Sequence, residues 1–232
     1  MIGRRTFVAS ALAAGTAVGT AGCLGDDDGG DDDGGDDDGG NDGAATADHP
    51  ALDTPAEPPR LGPPIEEAEG IVVAFDDPSC SSCATFAAET FPQLRDGPVE
   101  AGRVTYLARA VPWVEPAWSR LAINALYAVH EAEPSAFWQL KSRFYEEQSG
   151  LDEGSIREWI ATEAESLPVE PESVLTAVDE GRYDDRIEAT ESTAEDSEVS
   201  VVPSFVLFEG GEYVTQVVGP QPYDVFEGAL DL

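Results

Sequence analysis

The sequence predicts an α/β domain in which a helical segment interrupts a mixed sheet. A strand, a helix and a second strand are predicted first, helical patterns then occupy about residues 116–197, and a hairpin and a helix close the chain. Two strands separated by one helix form a βαβ unit with a parallel pair. We therefore expect one domain, residues 65–232, with helices inserted between two parts of one sheet.

The first predicted strand leads directly into a cysteine motif. "GIVVAFDD", residues 70–77, is a continuous apolar run typical of a buried strand. "CSSCATFAAETFPQL" then repeats apolar residues at helical spacing, and "RVTYLARAVPWV", residues 103–114, has the composition of a second strand. Cys80 and Cys83 are therefore expected at a strand-to-helix turn.

Helices are predicted for the inserted segment, and a hairpin and a final helix are predicted for the carboxyl-terminal part. "PAWSRLAINALYAVHEAE" and "PSAFWQLKSRFYEEQ" each begin with a proline, which is favoured in the first turn of a helix, and each has an apolar face. "SFVLFEGGEYVTQVVG" predicts a hairpin that turns at Gly210 and Gly211, and "QPYDVFEGALDL" predicts a final helix.

Residues 1–23 have the organisation of an export signal. Arg4 and Arg5 precede an apolar stretch, residues 7–18, that is shorter than the eighteen or so residues of a spanning helix. "RRTFV" resembles a twin-arginine signal, and "TAGC" resembles a lipobox, whose cysteine becomes the new amino terminus and carries lipid. We expect a lipid on Cys23 and a location at the cell surface, on the extracytoplasmic face of the membrane.

Residues 24–64 are predicted to be a disordered tether. Triplets of Asp alternate with pairs of Gly and then give way to proline, and the carboxylates repel one another.

Over the whole chain, 47 Asp and Glu against 12 Lys and Arg give a net charge of −35, which argues against nucleic acid as a partner. This balance, with Lys141 as the only lysine, resembles proteins of salt-in halophiles, and we expect a halophilic archaeon as the source.

Four segments together resemble the DsbA-type thiol–disulfide oxidoreductases, which have a thioredoxin fold with an inserted helical subdomain. They are "FDDPSCSSC", "FWQLKSRFYEEQ", "VVPSFVLFEGGEYV" and "VVGPQPYDVFEGAL", and the likeness runs from about residue 68 to the end. A lone CxxC is weak evidence. A CxxC at the start of a helix, with "VVP" about 120 residues later and just before a hairpin, is much more specific.

The cysteine pair favours redox chemistry over two alternatives. Helix-start N–H groups and the helix dipole favour a thiolate at Cys80, and Cys83, one turn inward, is placed to resolve a mixed disulfide. A structural disulfide closing so short a loop would restrict the unfolded chain little. A zinc site needs more ligands than two cysteines, and the sequence has no second CxxC and no histidine in a recognisable partner position, so no metal is expected.

The resemblance implies further site residues and also shows two departures. In the family, the proline matching Pro203 has a cis peptide bond, and the residue before it, here Val202, offers its backbone to an extended substrate. Ser81 and Ser82 stand where strongly oxidising members have Pro-His, so the redox direction is open. Ala74 stands where the family often buries an acid as a proton relay for the second cysteine, and Asp76 or Asp77 could substitute for it through water.

The sequence therefore predicts an extracytoplasmic thiol–disulfide oxidoreductase without a cofactor. Its expected partners are exported polypeptides with thiols or disulfides, a membrane or small-molecule redox partner, and the membrane itself through the lipid anchor. One alternative is a reductase that maintains thiols of exported metalloproteins or cytochromes. Another is a non-catalytic lipoprotein whose thioredoxin fold only binds polypeptide or small ligands.

Overall fold

The computed structural model describes residues 48–53 and 56–232 of the chain. The predicted signal, the predicted lipidation site Cys23 and the Asp-Gly repeats lie outside the described residues. The described part has the predicted α/β architecture, with a mixed sheet and an inserted group of helices.

A five-stranded sheet forms the centre of the described part, in the order β1-β3-β2-β4-β5. Its strands are β1 Arg60–Leu61, β2 Gly70–Asp76, β3 Val104–Ala110, β4 Ser204–Glu209 and β5 Glu212–Val218. Strands β2 and β3 are parallel, and the other neighbouring pairs are antiparallel. All seven residues of β2 are buried, which explains its continuous apolar sequence.

Helices cover both faces of the sheet. They are α1 Ser81–Glu89, α2 Phe91–Leu94, α3 Pro116–Ala132, α4 Pro134–Glu147, α5 Ile156–Ser166, α6 Pro171–Glu180, α7 Asp184–Asp196 and α8 Tyr223–Ala229. Alternate residues of β2 point to opposite faces. Val72 and Ala74 pack with Phe86 of α1 and Phe226 of α8, whereas Val73 packs on the other face.

The helix predicted from the cysteine motif is divided in two. Helix α1 ends at Glu89, and α2 begins at Phe91 with Pro92 in its first turn. Because proline has no N–H, it cannot donate to the carbonyl one turn earlier, and the helix is interrupted there. Thr90, at the junction, donates its hydroxyl to the Gln221 carbonyl at 2.8 Å.

The inserted helices have a core of their own. Helices α3 to α6 bury a continuous cluster that includes Trp118, Phe137, Phe144 and Ile160. The longest of these helices, α3, has 17 residues. Across residues 48–53 and 56–232, no helix combines the length and apolar character needed to cross a bilayer.

Ordered structure begins before residue 65, which corrects the predicted boundary between tether and domain. Ala51 is fully buried, and Arg109 on β3 donates to its carbonyl at 2.8 Å. The His49 ring stacks on Tyr213 with centroids 5.0 Å apart. Strand β1 pairs with β3, so the proline-rich end of the predicted tether is part of the fold.

Candidate active site

The two cysteines lie at the start of α1, where the sequence places them. Cys80 is the N-cap residue, and its sulfur accepts a hydrogen bond from the Cys83 backbone N–H at 3.1 Å. Both are free thiols, and their exposed fractions are 4% and 1%. Cys80 thus occupies the position where unpaired helix N–H groups stabilise negative charge.

The surroundings of the two thiols shift their pKa values in opposite directions. Hydrogen bonds from the Cys83 thiol and backbone lower the pKa of Cys80, against the opposing effects of burial and of Asp77 and Asp76. Burial, reinforced by the hydrogen bond with Cys80 and by Asp76, raises the pKa of Cys83 well above that of an ordinary thiol. Of the two thiols, Cys80 is therefore the one that ionises more readily.

The loop before β4 faces the first cysteine. The Val202–Pro203 peptide bond is cis, as expected. The Cys80 thiol donates to the Val202 carbonyl at 3.6 Å, and Pro203 is buried beside it. The structure thus brings the predicted cysteine pair together with the predicted Val202–Pro203 pair, more than a hundred positions later in the sequence.

Asp77 fixes the turn that carries Cys80. Its carboxylate accepts hydrogen bonds from the Ser79 backbone and hydroxyl and from the Ser119 hydroxyl of α3, each at 2.7 Å. The other oxygen accepts the backbone N–H groups of Trp113 and Val114, both at 2.7 Å. One fully buried side chain therefore holds the active-site turn, the loop after β3 and the first turn of α3 together.

The inserted helices contact the same turn at two further places. The Lys141 ammonium of α4 donates to both oxygens of Asp76, at 2.7 and 2.5 Å. The Gln148 amide donates to the carbonyls of Pro78 and Cys80, at 3.2 and 3.4 Å. The insertion thus helps to position the turn that carries the cysteine pair.

A cavity of about 320 Å³ lies behind Cys83, between α1, α2 and α4. Several aromatic side chains line it, among them Phe86, Trp138 and Tyr145, and the charged groups of Asp76 and Lys141 line it as well. Among the described residues, no cluster of three or more His, Cys, Asp or Glu side chains has a metal-binding arrangement.

Sequence reasoning did not identify Lys141, Gln148 or Ser119 as site residues. Each is contributed by the insertion and reaches the cysteine motif through long-range packing. The sequence offered one signal for Lys141: it is the only lysine, and the other eleven Lys or Arg positions of this acidic chain are all arginine.

Comparison with known proteins agrees with this geometry. The family model described as thioredoxin matches residues 61–231. Disulfide bond formation protein D of Bacillus subtilis (strain 168) is 22% identical over 160 residues, which cover 65% of this chain and 70% of the relative.

Solved structures of DsbA-type proteins share the fold. Oxidised BdbD from Bacillus subtilis has a TM-score of 0.67 and 21% identity, with 75% of this chain and 91% of that chain covered. Chlamydia trachomatis DsbA has a TM-score of 0.64 and 19% identity, with 78% and 93% covered. The chain therefore belongs to the thioredoxin family, and within it resembles the DsbA-type proteins in sequence and in fold.

Proposed function

We propose that this chain is a thiol–disulfide oxidoreductase of the DsbA type, with Cys80 as the attacking thiol and Cys83 as the resolving thiol. The observation that carries the proposal is the inequality of the pair: Cys80 caps a helix start, faces the cis-proline loop and has a lowered pKa, whereas Cys83 behind it is buried and has a raised pKa. A structural disulfide needs no difference in pKa or in position between its two cysteines.

In one turnover the Cys80 thiolate attacks a substrate disulfide and forms a mixed disulfide, and the first substrate thiolate leaves. The Cys83 sulfur, after losing its proton, attacks the Cys80 sulfur and expels the second substrate thiolate. Two electrons pass from the cysteine pair to the substrate disulfide. In the opposite direction the same steps form a disulfide in the substrate and reduce the pair.

The substrate is an extended polypeptide segment. The Val202 backbone beside Cys80 is the pairing edge, and two exposed apolar side chains support this assignment: Val114 and Val201, each with 49% of its surface accessible. Val114 follows the loop held by Asp77, and Val201 precedes the cis bond. Apolar contacts of this kind add affinity without selecting one sequence.

The chain works outside the cytoplasm on exported proteins, anchored by lipid at Cys23 after twin-arginine export. This assignment rests on "RRTF" and "TAGC" in residues 1–23. A membrane or small-molecule redox partner restores the cysteine pair. No imidazole stands between the cysteines, because both intervening residues are serine, and this favours a less oxidising enzyme or a reductase.

The test compares how many mixed disulfides are trapped by the two single cysteine variants. Cys83→Ser should accumulate mixed disulfides with exported proteins on non-reducing gels, because the Cys80 adduct has no resolving thiol. Cys80→Ser should trap few, and the double serine variant serves as the background control. Equal trapping by both single variants, or none by either, would contradict the proposal and leave a polypeptide-binding role.

A further inference from the structure

Arg109 of β3 is a buried cation without a carboxylate partner. Only 3% of its surface is exposed, and no Asp or Glu of the described residues lies within ion-pair distance of it. Its Nη2 donates to the main-chain carbonyls of Ala51 and Asp53, at 2.8 and 3.1 Å. Its Nε is buried and has no hydrogen-bond partner. A buried charge in this position is costly unless a counter-charge is present.

A second arginine lines the same small cavity, which has a volume of about 10 Å³. The Arg186 guanidinium of α7 lies over the Tyr127 ring, 4.0 Å from its centroid, and donates to the Glu57 carbonyl at 2.8 Å. Burial and the charge of Arg186 lower the pKa of Arg109 to about 10, and they also lower that of His130. Two like charges therefore meet at one cavity.

The lack of a carboxylate partner is unusual in this chain. The sequence has 47 Asp and Glu, and every other described Lys or Arg except the exposed Arg143 lies within ion-pair distance of one. The Asp53 carboxylate acts on Arg109 only from a distance. The Glu57 carboxylate lies 3.7 Å from Arg60 Nε. The counter-charge for the two arginines is therefore missing from the described side chains.

The polar lining of the cavity suits a species that only accepts hydrogen bonds. A guanidinium carries N–H donors and no acceptor, whereas a water molecule needs acceptors for its own protons. The Thr190 hydroxyl donates to the Arg186 carbonyl at 2.9 Å. Small apolar side chains form the rest of the wall, together with the Tyr127 ring: Ala56, Pro58 and Ala108. An anion satisfies this lining better than a water does.

The size of the cavity restricts the anion further. A volume of about 10 Å³ admits one water-sized species, so a carboxylate, sulfate or phosphate group is too large. The net charge of −35 repels anions at long range. In molar salt, however, the screening length is about 3 Å, and only the two adjacent guanidiniums then determine the local field.

We propose that a single monatomic anion of the halide class, such as chloride, binds between Arg109 and Arg186. It accepts the Arg109 Nε–H and balances the two guanidinium charges. Because Pro58 also lines the cavity, the anion joins β3 and α7 to the segment that precedes β1. It thus helps to hold that segment on the domain, a role separate from the redox chemistry of the cysteines.

The test titrates chloride at a constant, molar sodium concentration. Full-length protein is unfolded with urea while gluconate, which is too large for the cavity, is replaced stepwise by chloride. Arg186→Gln and Arg109→Met each remove one of the two charges, so either variant decides the test if the other fails to fold. Arg143→Gln removes an exposed arginine of α4 outside the cavity and is the matched control for general effects of the salt.

A ligand that binds only the folded state raises the folding equilibrium constant in proportion to its occupancy. For the wild type and Arg143→Gln, we expect a rise of about tenfold for each tenfold increase in chloride above the dissociation constant. Both cavity variants should respond much less. An equal response of the wild type and the cavity variants would mean a general salt effect and would overturn the inference.

Crystals grown in bromide locate the anion directly, because bromide scatters anomalously. We expect an anomalous peak in the cavity, within hydrogen-bonding distance of Arg109 Nε. Electron density there without an anomalous signal would show a water molecule, and an empty cavity would show that the charges need no counter-ion. Either result would overturn the inference.

Discussion

Removal of the Asp77 carboxylate should destabilise the domain more than any other single polar change in the active-site turn. Asp77→Ala deprives five donors of their acceptor, and they belong to Ser79, Trp113, Val114 and Ser119. Each buried donor left unsatisfied costs about 1–3 kcal/mol. Val114 is 49% exposed, so water can replace the carboxylate there.

Because water compensates at the exposed positions, Asp77→Ala should lower the free energy of unfolding by about 3–5 kcal/mol in total. For a domain of this size, each kcal/mol lowers the Tm by about 2–4 °C, so Asp77→Ala should melt about 6–20 °C below the wild type. Circular dichroism in molar sodium chloride measures the shift. We also expect faster alkylation of Cys83 in this variant, because the turn that buries it is released.

Asp152 provides a matched control. Its carboxylate also accepts from two backbone N–H groups and a serine hydroxyl, those of Gly154 and Ser155, but in an exposed loop. Because water replaces it freely, Asp152→Ala should shift the Tm much less. A melting temperature for Asp77→Ala no lower than that of Asp152→Ala would refute the assignment of Asp77 as the residue that holds the turn.

Two further predictions concern the thiols and the amino terminus. Because the pKa of Cys80 is lowered and that of Cys83 raised, iodoacetamide should label Cys80 first, and its rate should persist as the pH falls below the ordinary thiol value of about 8.5. Equal labelling of both, or a rate that falls at the ordinary value, would contradict the asymmetry. Cys23→Ser should release the protein from the membrane or block its maturation, and the Arg4→Lys/Arg5→Lys variant should not be exported. Unchanged fractionation of both would count against the anchor.

The parts of the fold that depend on local pattern could be predicted from the sequence. The buried run of β2, the helix start at Cys80 and the glycine turn of the hairpin each follow from a few neighbouring residues, and the structure has them. The positive φ angles of Gly210 and Gly211, 56° and 83°, are those that the tight turn requires.

The parts that depend on packing between distant segments could not be predicted. Proline-rich residues before 65 have no periodic pattern, yet Ala51 is buried in the apolar cluster that contains Val73, and Arg109 donates to its carbonyl. Asp76 and Lys141 are 65 positions apart, and only the docking of α4 against α1 brings them together. From the sequence alone, Asp76 and Asp77 look equivalent. In the structure, Asp76 pairs with Lys141, and Asp77 holds the turn that carries Cys80.

The reduction potential of the Cys80–Cys83 pair is the most direct test of its role as a redox centre. The protein is equilibrated with glutathione buffers of graded ratio in molar salt, and the oxidised fraction is read by trapping free thiols and measuring intact mass. We expect a single two-electron equilibrium at a potential less negative than about −300 mV, within reach of exchange with other protein thiols. A pair that stays fully oxidised across that range would behave as a structural disulfide and contradict a redox role for the two cysteines.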